Sequence, residues 1–297
     1  MTMPNFLIIG AAKSGTTALY HYLKQHPQIY MSPTKETEFF AFEGETLDFQ
    51  GPGDRGRASI TNFEAYQAQF QAVTTETAIG EASPVYLYSE KAADRIFYYL
   101  PNAKLIAILR DPIERAYSQF LMFVRDEREP ILDFAKALQE EENRIRDYWA
   151  WGWRYVQLGF YSVQLQRYYE RFDRNQIKVY LYEDLSNSPI QVIQDIFTFL
   201  GVDATFVPNM STKPNISGMP KNQVWHSFLR KPHVIKETFK PLVPVQLRKK
   251  ITMTLRNQNL VKPQLSPQIR QQLLPVFRED ILRLQELIGR DLSPWLE

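Results

Sequence analysis

Phe6-Leu-Ile-Ile-Gly10-Ala-Ala-Lys13-Ser14-Gly15-Thr16-Thr17 reads as a buried strand that runs into a glycine-punctuated turn and then a helix. A short apolar run bounded by glycine suits an interior strand of a parallel sheet. Ala18 to Leu23 continues with helix-compatible residues up to a stop at His26-Pro27. The turn directs backbone N–H groups, the positive end of a helix dipole, Lys13 and the hydroxyls of Thr16 and Thr17 at one point. That is the layout of an oxyanion site. A Walker loop would place its lysine directly after the second glycine. Here Thr16 holds that place and Lys13 lies inside the turn, so the expected ligand is a phosphate ester other than magnesium-ATP.

Outward from this turn, strand alternates with helix. Gln28 to Met31 reads as a short strand, Phe63 to Gln71 as a helix and Thr77 to Tyr86 as a second core strand leaving through a turn with Glu81 and Ser83. Ser89 is placed to cap a helix running to Leu100. Lys104 to Leu109 is the most hydrophobic strand, and it empties into Arg110-Asp111-Pro112 and a helix carrying Ser118. Phe160 to Phe172 has helical spacing, Gln176 to Tyr182 gives another strand, and a helix starting at Asp184 or Ser186 ends near Leu200-Gly201. This alternation predicts an α/β fold: a P-loop-like parallel sheet with helices on both faces and a helical C-terminal extension. The expected organisation is a single domain over residues 1–297, with an insertion or lid at about 126–156 and a helical C-terminal part at about 223–297.

Composition excludes several functions. The chain has 35 lysines and arginines against 33 acids, a net charge of +2, so bulk charge gives no reason to expect nucleic acid as a partner. With no cysteine there are no disulfides, thiolate metal sites or cysteine nucleophile, and the four histidines lack metal-ligand spacing, so no metal is expected. No apolar run approaches the roughly 18 residues of a transmembrane helix. A cytoplasmic, unprocessed protein without a transmembrane segment is the expectation.

Three further stretches carry candidate chemistry. Lys35-Glu36-Thr37-Glu38-Phe39-Phe40 sets carboxylates against aromatics, a setting that suits base chemistry or, equally, a solvated loop charge. Glu140, Glu141, Glu142 and Asp147 precede Trp149, Trp151 and Trp153, a mixture able to hold a cationic small molecule by ion pairing and cation–π contact, or to plug a core. Between Lys221 and Lys262 the charged residues are basic except Glu237, a surface that reads first as a solvated helix face and otherwise suits an acidic acyl carrier protein or a membrane headgroup layer, while the preceding Pro208 to Asn222 loop suits a flap over a ligand.

In this order the Ala11–Thr17 loop, the Glu36-x-x-Phe39-Phe40 turn, the strand with Arg110-Asp111-Pro112 and Ser118, and the Asn215–Lys221 loop resemble the sulfotransferases that use 3′-phosphoadenosine 5′-phosphosulfate, PAPS. The likeness is greatest to the branch of the heparan sulfate N- and 3-O-sulfotransferases and their bacterial relatives, and spans Pro4 to Lys221. The resemblance implies sulfuryl transfer to a hydroxyl or amine, leaving adenosine 3′,5′-bisphosphate. It implies that Lys13, Ser14, Gly15, Thr16 and Thr17 bind the 5′-phosphosulfate, that Arg110 and Ser118 bind the 3′-phosphate, and that Ser217, Gly218 and Lys221 add donor contacts. Glu36 would be the base, with Glu81 in reserve, and Lys35, Glu36, Phe39, Trp151 and Trp153 would face the acceptor. Ala82 stands where the heparan sulfate enzymes carry a lysine after the strand glutamate, and Lys35 or Lys221 is left to fill that role. A chain without cysteine lacks the C-terminal disulfide loop of the animal enzymes, which argues against heparan sulfate. A small-molecule acceptor, in particular a cationic natural product, is expected, with a carrier-tethered hydroxyacyl chain as the alternative. A P-loop kinase and a non-catalytic nucleotide-binding module are the rivals from other classes.

Overall fold

Alternation along two central strands divides the apolar residues between two cores. In the computed structural model, which describes residues 2–56, 58–211, 219–220, 260–261 and 263–297, strand β1 (Phe6–Gly10) sends Leu7 and Ile9 to one face and Phe6 and Ile8 to the other. The sheet continues with β2 (Ile29–Met31), β3 (Ala78–Ala82), β4 (Lys104–Leu109) and β5 (Ile177–Leu181), all parallel, in the order β2-β3-β1-β4-β5. In β4, Leu105, Ala107 and Leu109 share the face of Leu7, while Ile106 and Ile108 share that of Phe6. Both faces being covered is what turns these strands into continuous apolar runs rather than alternating ones.

Helices α1 (Thr16–Leu23) and α5 (Pro189–Leu200) cover the Phe6 face, through Leu19, Leu23, Ile193 and Phe197. The Leu7 face receives α2 (Ala92–Tyr99), α3 (Pro112–Arg125), α4 (Tyr161–Tyr169) and α6 (Pro267–Ile288). Helix α6 inserts Phe277, Ile281 and Leu284 into that core, so the chain's last helix packs where its amphipathic pattern predicts. The remainder of the expected C-terminal helical part, residues 223–259 and 262, and the basic surface it carries lie outside the described residues.

Two helix starts differ from the sequence reading. Ser89 does not start α2: Val85–Tyr88 forms its own helical turn, Ser89 closes that turn with its N–H donated to the Val85 carbonyl, and α2 begins after Lys91. The helix expected from Asp184 or Ser186 is two helices, Tyr182–Asn187 and α5. Pro189 is the cause, because a proline ring excludes the helical region for the residue before it, and Ser188 sits at φ −138° and ψ 56°.

The 126–156 segment packs as a polar-lined aromatic plug. Arg144 donates to both carboxylate oxygens of Glu129 at 2.9 and 2.7 Å, with both side chains almost wholly buried. Asp54 accepts from Ala150 N–H (3.0 Å) and Trp153 Nε1 (2.8 Å) and pairs with Arg128. Replacing Glu129 with glutamine removes the counter-charge from a buried guanidinium, and chemical denaturation should show a loss of about 1.5–3 kcal/mol.

Candidate functional site

The order of strands fixes where a ligand belongs. From β1 the chain crosses through α1 to β2, on the β3 side, whereas from β4 it leads through α3 towards β5 on the other. Open parallel sheets bind ligands at such a reversal, beyond the carboxyl ends of the strands. The Gly10–Thr17 turn and Arg110 both emerge there, and Arg110 Nη1 approaches the Lys13 carbonyl at 3.5 Å. The turn is made possible by left-handed Lys13 (φ 69°) and Gly15 (φ 103°). A side chain at Gly15 would also meet Leu185 at 3.0 Å.

The turn is lined with groups suited to an anion. Helix α1 begins with no side-chain cap, leaving the N–H groups of its first turn for a ligand. The Ser14 hydroxyl is fully buried with no hydrogen-bond partner among the described residues. Lys13 Nζ lies 3.2 Å from Met122 Sδ and makes no ion pair among the described residues. Burial, then Arg125, lower its pKa to about 8, with Arg110 acting in the same sense and Asp126 and Glu36 opposing. Arg110 pairs with Glu114 at 3.1 Å and lies 4.8 Å from the Tyr182 ring centroid. Ser118 is buried one face along α3. Ser217, Gly218 and Lys221 lie outside the described residues.

The two candidate bases have opposite surroundings. Glu36 N–H donates to the Ala82 carbonyl (2.9 Å), which pins the turn to the end of β3, and left-handed Glu36 (φ 65°) keeps a side chain 37% exposed and paired with Lys35. It does not lie under the phenylalanines. Phe39 and Phe40 are wholly buried among Tyr66, Tyr86 and Tyr99, so Phe39 presents no surface to an acceptor. Glu81 is wholly buried and accepts from Tyr86 (2.5 Å), Thr37 (2.7 Å), Ser83 (2.9 Å) and Tyr66 (3.2 Å). Burial raises its pKa and those hydrogen bonds oppose the rise.

The tryptophans also differ from an open lid. Trp153 is fully buried, and Trp151, nearly so, donates to Glu38 at 3.2 Å. Arg144 lies 5.1 Å from the Trp149 and Trp153 ring centroids and Arg128 5.4 Å from that of Trp153. Glu141 accepts from Val156 and Gln157 N–H groups, Glu140 from Asn143, and Asp147 pairs with Arg146. The chain's own arginines thus lie over two of the three rings expected to take a cation, Trp149 and Trp153. Sequence reading missed Met122, Arg125 and Asp126 beside Lys13, although the spacing from Ser118 to 122 and 125 marks one helix face. Among the described residues no cluster of three or more histidines and acids is arranged to hold a metal, and no helix is long and apolar enough to cross a membrane.

Residues 4–206 match the sulfotransferase family. The chain belongs to that family. This sulfotransferase is 35% identical to a crystal structure of a sulfotransferase from Alicyclobacillus acidocaldarius, with all of both chains covered and a TM-score of 0.79. It is 31% identical over 235 residues to the bifunctional heparan sulfate N-deacetylase/N-sulfotransferase 1 of Xenopus laevis, covering 76% of this chain and 25% of that protein. It is 36% identical over 151 residues to the membrane-associated sulfotransferase kil1 of Dictyostelium discoideum, covering 49% of this chain and 29% of that protein. The sulfotransferase therefore spans less than half the length of these curated relatives. Family membership makes it a transferase and sets the kinase and non-catalytic readings aside.

Proposed function

We propose that this sulfotransferase takes PAPS as donor and transfers its sulfuryl group to a hydroxyl or amine of a small-molecule acceptor, without a metal. The observation that carries the proposal is the convergence at the β1/β4 crevice of Lys13, an amine without an ion-pair partner among the described residues, Ser14, a buried hydroxyl without a hydrogen-bond partner among them, an uncapped helix start and Arg110. These residues fit a ligand with two separated anionic groups. Ser14 and the α1 start suit the 5′-end, and Arg110 with Ser118 suits the 3′-phosphate. Lys13 holds positive charge where the leaving oxygen gains negative charge. Glu36, half exposed at the crevice turn, takes the acceptor's proton as its bond to sulfur forms. Glu81, walled in by four hydroxyl groups, holds the turn instead. Arg144 over Trp149 and Trp153 lends no support to a cationic acceptor at those two rings, and the surface that would receive a carrier protein lies outside the described residues.

The test is calorimetric titration without magnesium. Wild type should prefer adenosine 3′,5′-bisphosphate over adenosine 5′-phosphate by about tenfold or more. Arg110→Ala should erase most of that preference and Ser118→Ala less of it, because a charged contact exceeds a hydroxyl bond. Equal affinity for the two nucleotides in wild type would overturn the 3′-phosphate assignment.

The lowered pKa of Lys13 predicts a pH dependence with a defined sign. Bound anion favours protonated Lys13, so its pKa rises on binding. Below about pH 8 the free protein already carries that proton. Above it, binding must take up a proton, and Kd for adenosine 3′,5′-bisphosphate should climb by up to about tenfold per pH unit. Phosphate ionisation, with its second pKa near about 6, is complete by then. Lys13→Arg should flatten the profile, and a profile unchanged by that substitution would locate the proton elsewhere.

A further inference from the structure

A second concavity lies apart from the donor crevice. It has a volume of about 720 Å³ and runs between the Phe39–Phe42 turn, the Val85–Tyr88 turn and the start of α4. None of Lys13 to Thr17, Arg110 or Ser118 lines it. Its walls include Phe42, Tyr88, Trp151 and Phe160, and two arginines, Arg154 and Arg167, face the same space.

Those arginines are held in place without being neutralised. Arg154 Nη1 donates to Tyr88 Oη at 2.6 Å, and its guanidinium lies 5.4 Å from the Tyr88 ring centroid. Arg167 Nη1 donates to the Tyr88 carbonyl at 3.0 Å. Tyr88 Oη in turn donates to Gln157 at 2.8 Å, so one tyrosine positions both guanidinium groups. Among the described residues neither arginine pairs with a carboxylate, and Arg154 Nε is buried with no hydrogen-bond partner. At the rim, Glu45 is already taken by Lys91 at 2.8 Å, which leaves Glu90 as the one lining acid without such a pair among the described residues. A buried N–H without an acceptor is a standing cost that an incoming oxygen removes, and guanidinium forks match carboxylate and sulfate oxygens.

We propose that this cleft binds an organic anion, a single carboxylate or sulfate group on an aromatic body, with Arg154 and Arg167 receiving the anion and the aromatic walls receiving the ring. The site is independent of the donor assignment. Concave sites of this size, in which convergent polar groups fix a ligand against aromatic walls, are where small ligands orient.

The test uses the full chain and two probes of equal shape, naphthalene-2-carboxylate and naphthalene-2-carboxamide, titrated by calorimetry. The carboxylate should bind saturably and the amide about tenfold or more weaker. Arg167→Gln and Arg154→Gln should each weaken the carboxylate about tenfold and leave the affinity for adenosine 3′,5′-bisphosphate unchanged. Because Arg154 also supports Tyr88, Arg167→Gln decides if the other variant does not fold. Equal affinity for the two probes, no saturation, unchanged binding in Arg167→Gln, or competition by adenosine 3′,5′-bisphosphate would each overturn the site. Loss of nucleotide binding in wild type would instead count against the donor reading alone.

Discussion

Lys13→Ala should lower the rate of sulfuryl transfer by on the order of 10² to 10³-fold while leaving the protein as stable as wild type or slightly more so. Both halves follow from one geometry. The amine sits buried beside Arg125 and Arg110 and makes no ion pair among the described residues, so in the free protein its charge is held at a cost that Asp126 and Glu36 only partly offset, and its pKa is lowered to about 8. That cost is relieved only when an anion arrives, and most fully when negative charge builds on the departing oxygen. Alanine removes the relief and the cost together. The left-handed backbone at this position is no worse for alanine, since both residues carry a Cβ. Steady-state rates and thermal melting, measured on the same preparation, check the pair of outcomes. A variant that keeps full turnover would remove Lys13 from the chemistry, and one that unfolds would overturn the expected stability.

The two glutamates should separate cleanly. Glu36→Gln keeps the shape and the donor crevice but loses the proton acceptor, so turnover should fall by about 10² to 10⁴-fold with nucleotide affinity little changed. Glu81→Gln should do the reverse. Four hydroxyl groups donate to that carboxylate, and an amide offers one acceptor and brings two donors of its own, so about 1–2 kcal/mol of stability should be lost with only a modest effect on turnover. Single-turnover rates and denaturant midpoints for both variants discriminate. If Glu81→Gln is the catalytically dead variant and Glu36→Gln the active one, the proton leaves through the buried network instead.

Features set by neighbours in sequence were legible in advance. The strand, turn and helix around Lys13, and the strand delivering Arg110-Asp111-Pro112, depend on local apolar runs, glycine and proline, and they stand where those residues place them. Even the division of the helix at Ser188 was written in Pro189, a local signal that the reading passed over. What was not legible depended on distant pairing. The acids beside Trp149, Trp151 and Trp153 suggested a cation site, but their partners, and the arginine over Trp149 and Trp153, are chosen by packing, with Asp54 arriving from about a hundred residues away. Likewise, Glu36 and Glu81 are both carboxylates near aromatics in the sequence. Only the left-handed turn at residues 36 and 38 turns Glu36 out of the core, while Thr37 faces the Glu81 network.

The strand order carries a consequence for how such a protein can be altered. The two candidate ends of the donor crevice hang from β1 and β4, adjacent strands joined by backbone hydrogen bonds in fixed register, so their spacing is a property of the main chain and indifferent to most side-chain changes. The 126–156 segment attaches outside that ladder and is held by side chains, through its internal Arg144–Glu129 pair and through Asp54, which accepts from Ala150 and Trp153. Half of the molecule thus behaves as a gauge block and the other half as an interchangeable fitting. Exchange of the 126–156 segment has to carry Asp54 with it, because that carboxylate pairs with Arg128 and accepts from Ala150 and Trp153, while the distance set by β1 and β4 stays the same.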